Sequence, residues 1–464
     1  MGSSGGSAGA LPGGIFTSME RLNPIHPTSL SRMLLRSRLG VPVVLAVALA
    51  WTSACSDSSG TITPPEPAPT TLTALEGSGL QVPAGTVLPE GPTVQVLDQD
   101  GRPMAGIDVT FSLTSGGGTV VYPRVATDGQ GRAWTTWILG EASGTTQSLR
   151  ATVGNLSADF QVQAIQPVPG ESYYGRSQYV QFFPGDLPVV LSAGHGGDLL
   201  PGEIPDRTYG TTVQDANTMD LALRVRQAIK DQTGAWPHLV VSHLRRIKLD
   251  PNREIVEAAQ GNLAAERAWW EYHTYIKSAR QIIEADFGEG YYIDLHGHGH
   301  TIQRLELGYL LSSSQLASSD ETLRGLANNS SLRALAVKSG VDFVELIRGP
   351  SSLGSLLETA GFPSVPSQND HHPGSDPYFT GGYSTVVHGS RDGGTVSGVQ
   401  IECNFSGVRD NAQNRQSFAE ALSTALQVYF QAHFGMALAP SPGSDLRAPA
   451  WDRTAPGLRL VPAG

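Results

Sequence analysis

Four clusters of polar residues follow apolar runs, and their side chains are the types that metal-assisted hydrolysis uses. The first, HGGDLLPGEIPDR from His195 to Arg207, follows the apolar stretch LPVVLS. The others are RRIKLDPNR ending at Arg253, YYIDLHGHGH ending at His300, and GVQIE ending at Glu402. Each places polar groups at an expected strand end. In open α/β sheets, ligands bind in the crevice outside the carboxyl ends of strands, so the four clusters are expected to converge on one pocket.

A catalytic zinc typically has three protein ligands, and histidine supplies most of them. His195 and His296 are the first two expected ligands, each following an apolar strand. The flanking glycines, Gly196, Gly197 and Gly297, are expected to let a substrate or metal come close to the backbone. A carboxylate should complete the set, and four stand open: Asp198, Glu203, Asp206 and Asp215. Asp198 gives an HxxD spacing, whereas Asp215 has a second reading as the N-cap of the following helix. Asp206 and Arg207 have a second reading as an ion pair that holds the loop.

Glu402 ends an apolar strand and suits a general base that takes a proton from water at the metal. Arg253, beside Asn252, is expected to hold a substrate carboxylate through a two-pronged hydrogen bond, with Arg246 as a second candidate for that task. The structural alternative for Arg253 is an ion pair with Asp250, and that for Glu402 is pairing with a buried arginine. His273, in the aromatic stretch WWEYHTY, reads as packing. His298 and His300 flank the proposed ligand, and His371, His372 and His388 are expected in a Gly-rich loop that covers the site. Cys403 reads as a buried apolar residue rather than a nucleophile.

The elements that must position these groups follow from periodicity. Strands are expected near 187–192, 239–242, 291–295, 307–311 and 399–402. Helices are expected over 216–231, with Leu221, Val225 and Ile229 on one face, and over 254–285 and 410–432. Alternating strands and helices across 173–434 predict a three-layer α/β domain built on a mixed sheet. Ahead of it, residues 72–166 carry short period-two runs bounded by Gly, Pro, Asp or Asn, which predict a β-sandwich. Val109, Phe111 and Leu113 should share one face of one strand, and Ala133, Thr135, Trp137 and Leu139 one face of another. The phrases VLDQDGRPMAGIDVTFSL and ATDGQGRAWTTWILG resemble bacterial immunoglobulin-like repeats of surface proteins, which implies a stalk. Residues 56–71 form a Ser/Thr/Pro-rich linker, and the proline-rich tail 435–464 reads as disordered.

At the amino terminus, Arg32, Arg36 and Arg38 precede the run VPVVLAVALAW, which is shorter than the roughly 20 residues that span a bilayer. Thr52, Ser53 and Ala54 then lead to Cys55. Residues 1–55 thus resemble a bacterial lipoprotein signal, implying cleavage before Cys55, lipidation of its thiol, and tethering to the cell envelope outside the cytoplasm. The 464-residue chain has room for two or three domains. Its formal net charge of -11 argues against nucleic acid as a partner. Two cysteines, Cys55 and Cys403, argue against a disulfide framework.

Taken in order, HGG, PxxIPDR, LDPNR, YH, IDLHGHG, GGY and QIE resemble the N-formylglutamate amidohydrolase family. The resemblance implies a zinc carboxypeptidase-like fold, a zinc-activated water, a glutamate base and an Asn-Arg pair that grips the substrate carboxylate. Those roles fall on His195, His296, Glu402, Asn252 and Arg253. Where the family commonly has a proline before its first histidine and a serine after its second, this chain has Gly194 and Gly297, so the substrate is expected to differ from formylglutamate. The expected activity is zinc-dependent cleavage of an amide next to a free carboxylate, in an acylated amino acid, a peptide or a γ-glutamyl compound. The alternative is a surface adhesion or scaffold lipoprotein whose α/β domain binds a ligand without turning it over.

Overall fold

A computed structural model describes residues 66–440. The signal region with Cys55, most of the linker and nearly all of the tail lie outside those residues. Among the described residues, no helix is long and apolar enough to cross a membrane.

Eight strands between Tyr173 and Cys403 form one mixed sheet: β1 (Tyr173–Tyr174), β2 (Val180–Phe183), β3 (Val189–Ala193), β4 (His238–Ser242), β5 (Gly290–Gly297), β6 (Leu305–Gly308), β7 (Ser364–Val365) and β8 (Val396–Cys403). Their order is β1-β2-β4-β3-β5-β8-β6-β7. The central four, β4-β3-β5-β8, are mutually parallel, while β2 and β6 run antiparallel to their inner neighbours. From β3 the chain crosses to β4 on one side and later returns to β5 on the other. The strand order therefore reverses between β3 and β5, where a crevice opens at the carboxyl ends.

Alternation along the strands sorts two cores. Val189, Leu191 and Ala193 of β3 and Ile293 of β5 face helices α1 (Thr218–Thr233) and α3 (Ala412–His433), whereas Val190 and Tyr292 face helix α2 (Leu263–Asp286). Leu221, Val225 and Ile229 are all fully buried on α1, as their spacing predicts. The long helix expected over 254–285 is two helices, because Gln260 and Gly261 take left-handed φ values of 50° and 79° that end the first at Ala259. The short strands β1, β2 and β7 lacked a readable pattern. An Ile293→Ala change deletes a fully buried side chain from the central strand and is expected to cost about 2–5 kcal/mol, read as a lower denaturant midpoint.

Ahead of this sheet, residues 71–165 form sheets of three, five and two short strands around Val96, Val109, Phe111, Trp137 and Phe160. Ala133, Thr135, Trp137 and Leu139 are all buried, as expected. They do not share one strand, however: Arg132–Trp134 belongs to the three-stranded sheet and Trp137–Leu139 to the two-stranded one. The sandwich also packs on α2, where Arg267 donates to the Leu88 carbonyl at 2.5 Å and Ser278 to that of Ala84 at 3.2 Å.

Candidate metal centre

β3 ends at Ala193 and β5 carries His296 near its end, so neighbouring parallel strands deliver His195 and His296 to the switch point. Their rings stand 4.6 Å apart, edge to face, and both are buried. Asp215, in the loop before α1, completes the group: its Oδ2 lies 3.2 Å from His195 Nδ1 and 3.1 Å from His296 Nδ1. The Gly297 amide donates to the same oxygen, and Arg246 Nη1 reaches Oδ1 at 3.4 Å. Asp215 is not the side-chain cap of α1. Asn217 is the N-cap residue but caps with no side-chain bond, its Nδ2 going instead to the Arg409 carbonyl, and Asp215 serves the helix start only through its own carbonyl, which accepts from Thr218.

The far nitrogen of each histidine is held by a second carboxylate. His195 Nε2 lies 2.6 Å from Asp250 Oδ1, and His296 Nε2 lies 2.8 Å from Asp294 Oδ2. Burial alone would raise both acids. His195, with Arg246 and Arg253, nevertheless holds Asp250 well below the usual carboxylate range, and His296 and Ser192 hold Asp294 below it. Ionised acids at these distances accept N–H from each Nε2, and Asp215 Oδ2 faces both Nδ1 atoms; burial would lower His296, but Asp294 and Asp215 outweigh it and hold the ring well above its usual range, so that without a cation both of its nitrogens donate. A cation held by the two Nδ1 atoms and Oδ2 would take the place of the Nδ1 proton, since a histidine must be neutral to act as a ligand. Ligands around a near-tetrahedral ion stand roughly 3.0–3.5 Å apart, which matches the 3.1 and 3.2 Å found here. Histidine ligands backed by carboxylates are the usual supporting arrangement of such sites.

Glu402 lies on β8 directly opposite His296 on β5 and Glu306 on β6. It is buried, and Gln400 Nε2 donates to its Oε1 at 2.8 Å. Desolvation, reinforced by the charges of Asp215 and Glu306 and opposed by His296 and Arg246, pushes its carboxyl up to about 7. A carboxylic acid poised there can exchange a proton near neutral pH.

The other expected site residues are distributed differently. Asp198 is exposed and accepts from Gln214 Nε2 at 2.9 Å, outside the histidine group. Glu203 binds Arg176 and Tyr179, and Asp206 pairs with Lys248 rather than with Arg207. Arg246 is not free to clamp a substrate, because it is buried and bonded to Asp250 at 2.9 Å and to Asp215. Asn252 is also engaged, its Oδ1 accepting from the Ser384 amide and its Nδ2 lying 3.4 Å from Gln400 Oε1. Arg253 pairs with Glu257 at 3.2 Å, not with Asp250, and stays partly exposed. With Tyr209, Asn252 and Tyr383 it lines a pocket of about 390 Å³, which meets the histidine group through Asn252, whose Nδ2 lies 3.4 Å from His296 Nε2.

His388 is not part of a covering loop. It ends the short helix Tyr383–His388, is buried, and lies with its Nε2 2.8 Å from His273 Nδ1. His371 and His372 are exposed. Cys403 is buried, and desolvation raises its thiol to about 12, so it offers no nucleophile. The glycines also have a different reason from the expected one. A side chain on Gly196 would strike the Met219 amide, one on Gly197 the His243 carbonyl, and one on Gly297 the Arg409 guanidinium. They admit close protein packing rather than a ligand. Arg409 itself ties the rim together, donating to the carbonyls of Cys403, Ala216 and His298.

No family model matches the chain, and no curated protein matches it. Among solved structures it is similar to N-formylglutamate amidohydrolase from Ralstonia eutropha JMP134, at 13% identity over 55% of this chain and 99% of that one, with a TM-score of 0.35. A gene product from Agrobacterium tumefaciens is 15% identical over 54% of this chain and 94% of its own, with a TM-score of 0.33. The D00-D0 domain of intimin is 20% identical over 22% of this chain, with a TM-score of 0.17, and the match takes in 46% of that fragment, so this chain spans about half its length. The chemistry of the site rests on its geometry.

Proposed function

We propose that the protein is a zinc-dependent hydrolase that cleaves an amide bond next to a free carboxylate, tethered to the bacterial cell envelope through a lipid on Cys55. The observation that supports this most is the convergence of His195 Nδ1, His296 Nδ1 and Asp215 Oδ2 on one point, with both opposite ring nitrogens fixed by buried acids. Three ionised buried carboxylates, Asp215, Asp250 and Asp294, lie around that point beside Glu402, with Arg246 and Arg207 as the fixed positive charges. A divalent cation fits this excess of negative charge. When bound, zinc supplies Lewis acidity toward the amide carbonyl and makes a nearby water easier to deprotonate.

The remaining work belongs to the chain. Gln400 holds Glu402 Oε1, leaving Oε2 to take a proton from the attacking water and return it to the departing amine nitrogen. Arg253, partly exposed at the pocket wall, binds the substrate carboxylate, and Tyr209 and Tyr383 flank the bound residue. Asn252 acts through position: it fixes the Ser384 amide and Gln400, and so the wall between pocket and base.

The test is metal content and turnover of the purified protein on N-acyl glutamates and γ-glutamyl peptides. Stoichiometric zinc, hydrolysis abolished by a chelator, and recovery on adding zinc back are the expected results. A chain that carries no zinc and binds these ligands equally well after metal stripping would instead be a binding scaffold.

A further inference from the structure

A second histidine group stands beyond the base. His300 Nδ1 lies 2.7 Å from Glu306 Oε1, and the Phe379 amide donates to Glu306 Oε2 at 2.9 Å. The His300 and Phe379 rings stack 5.0 Å apart and only 4° from parallel. His298 adjoins them, but both of its nitrogens are occupied: Nε2 donates to the Arg304 carbonyl at 2.8 Å, and Nδ1 accepts from the His300 amide at 3.1 Å. A metal would have to break those bonds, and the 2.7 Å His300–Glu306 separation is that of an N–H···O⁻ hydrogen bond rather than of two ligands sharing an ion. The group is therefore organised to orient His300. With Nδ1–H given to buried Glu306, the ring presents Nε2 as an acceptor, and no hydrogen bond among the described residues engages it.

Sheet order fixes where this group lies. Along the carboxyl edge, the segment with Arg253 follows β4, then come His195 after β3, His296 on β5, Glu402 on β8 and Glu306 on β6. His300 and Phe379 thus flank Glu402 on the side opposite the Arg253 segment. Phe379 is 42% exposed, and Ile302 and Phe405, also exposed, belong to the same rim, where the Ser406 amide bonds Gln303 Oε1 at 3.2 Å. An apolar shelf beside an oriented acceptor suits a group with a flat or aliphatic face and an N–H.

We infer that His300 and Phe379, held by Glu306, form a second substrate subsite that binds the acyl side of the scissile amide, so that the substrate is a peptidyl or bulky N-acyl amino acid rather than a formylated one. This rests on the hydrolase reading, which places the carboxylate at Arg253 and so sends the acyl group across Glu402 toward Phe379.

Titration calorimetry on the zinc-loaded full chain carrying Glu402→Gln, with N-benzoylglutamate and N-formylglutamate as ligands, tests it. The benzoyl compound is expected to bind at least tenfold more tightly. Adding Phe379→Ala or His300→Ala should reduce that preference below threefold, while Phe379→Tyr keeps it; Phe379 is exposed enough for its own replacement to spare the fold. Equal affinities, binding of neither compound, or a preference that survives both alanine variants would overturn the subsite. A wild-type protein that shows the preference yet never cleaves either compound would keep the subsite and remove the hydrolase.

Discussion

Glu402→Gln is expected to lower kcat for amide hydrolysis by about 10²–10⁴-fold while zinc content stays unchanged. Glutamine keeps the shape and still offers an Oε1 to Gln400 Nε2, so the wall of the site is preserved and only the proton-accepting oxygen is lost. If Glu402 merely anchored Gln400, the variant would be nearly silent, and steady-state kinetics separates the two cases. The pH profile adds a second check. Burial, with Asp215 and Glu306 close by, raises the carboxyl to about 7 in the metal-free site, and the base works when ionised, so kcat/KM should rise with pH along an acid limb. A bound cation favours the ionised form and moves the limb below 7; in the glutamine variant the limb should flatten. The same shift enters folding with the opposite preference. Because the folded-state pKa lies above the ordinary 4.5, the stabilising contribution of the retained proton is complete below that value and is lost as pH rises through about 7. Metal-free protein should therefore weaken across that window, and Glu402→Gln should remove this group's share of the loss, while His296, also raised, adds its own loss above the ordinary imidazole range.

Periodicity made the frame of this chain legible where one helix face or strand meets one core. Leu221, Val225 and Ile229 declare α1, and the apolar runs before His195, His296 and Glu402 declare β3, β5 and β8. Short edge strands such as β1 and β7 bury too few residues to imprint a pattern. The site was legible as strand-end polar residues, but partners drawn from different loops were not. Asp250 sits inside LDPNR yet bonds His195, which lies 55 positions earlier in the chain. Asp294 carried a usable signal: in IDLH it shares a strand face with His296, because residues two apart point the same way. Gln400 and Glu402 repeat that relation on β8. Arg246 misled because an arginine read in sequence resembles a substrate clamp until its carboxylates are placed around it.

The choice among acidic residues for the third ligand carries the largest remaining consequence. Asp215→Ala should reduce bound zinc from stoichiometric to trace and lower turnover on the order of 10³-fold or more, whereas Asp198→Ala should change both by less than about twofold. The scale follows from the outer residues: a carboxylate that only orients a ligand is worth about 10–100-fold in metal affinity, the loss expected for Asp250→Asn or Asp294→Asn, and a direct ligand must exceed that. Asp215 is 7% exposed, with Oδ2 turned to both Nδ1 atoms, while Asp198 is exposed and held by Gln214. Bringing Asp198 to the histidines would require breaking that bond and moving the packed backbone at Gly196 and Gly197. Metal analysis alongside circular dichroism of each variant decides it. Zinc retained in folded Asp215→Ala but lost from Asp198→Ala would mean that the first loop rearranges around the ion, and the ligand set would then be His195, Asp198 and His296.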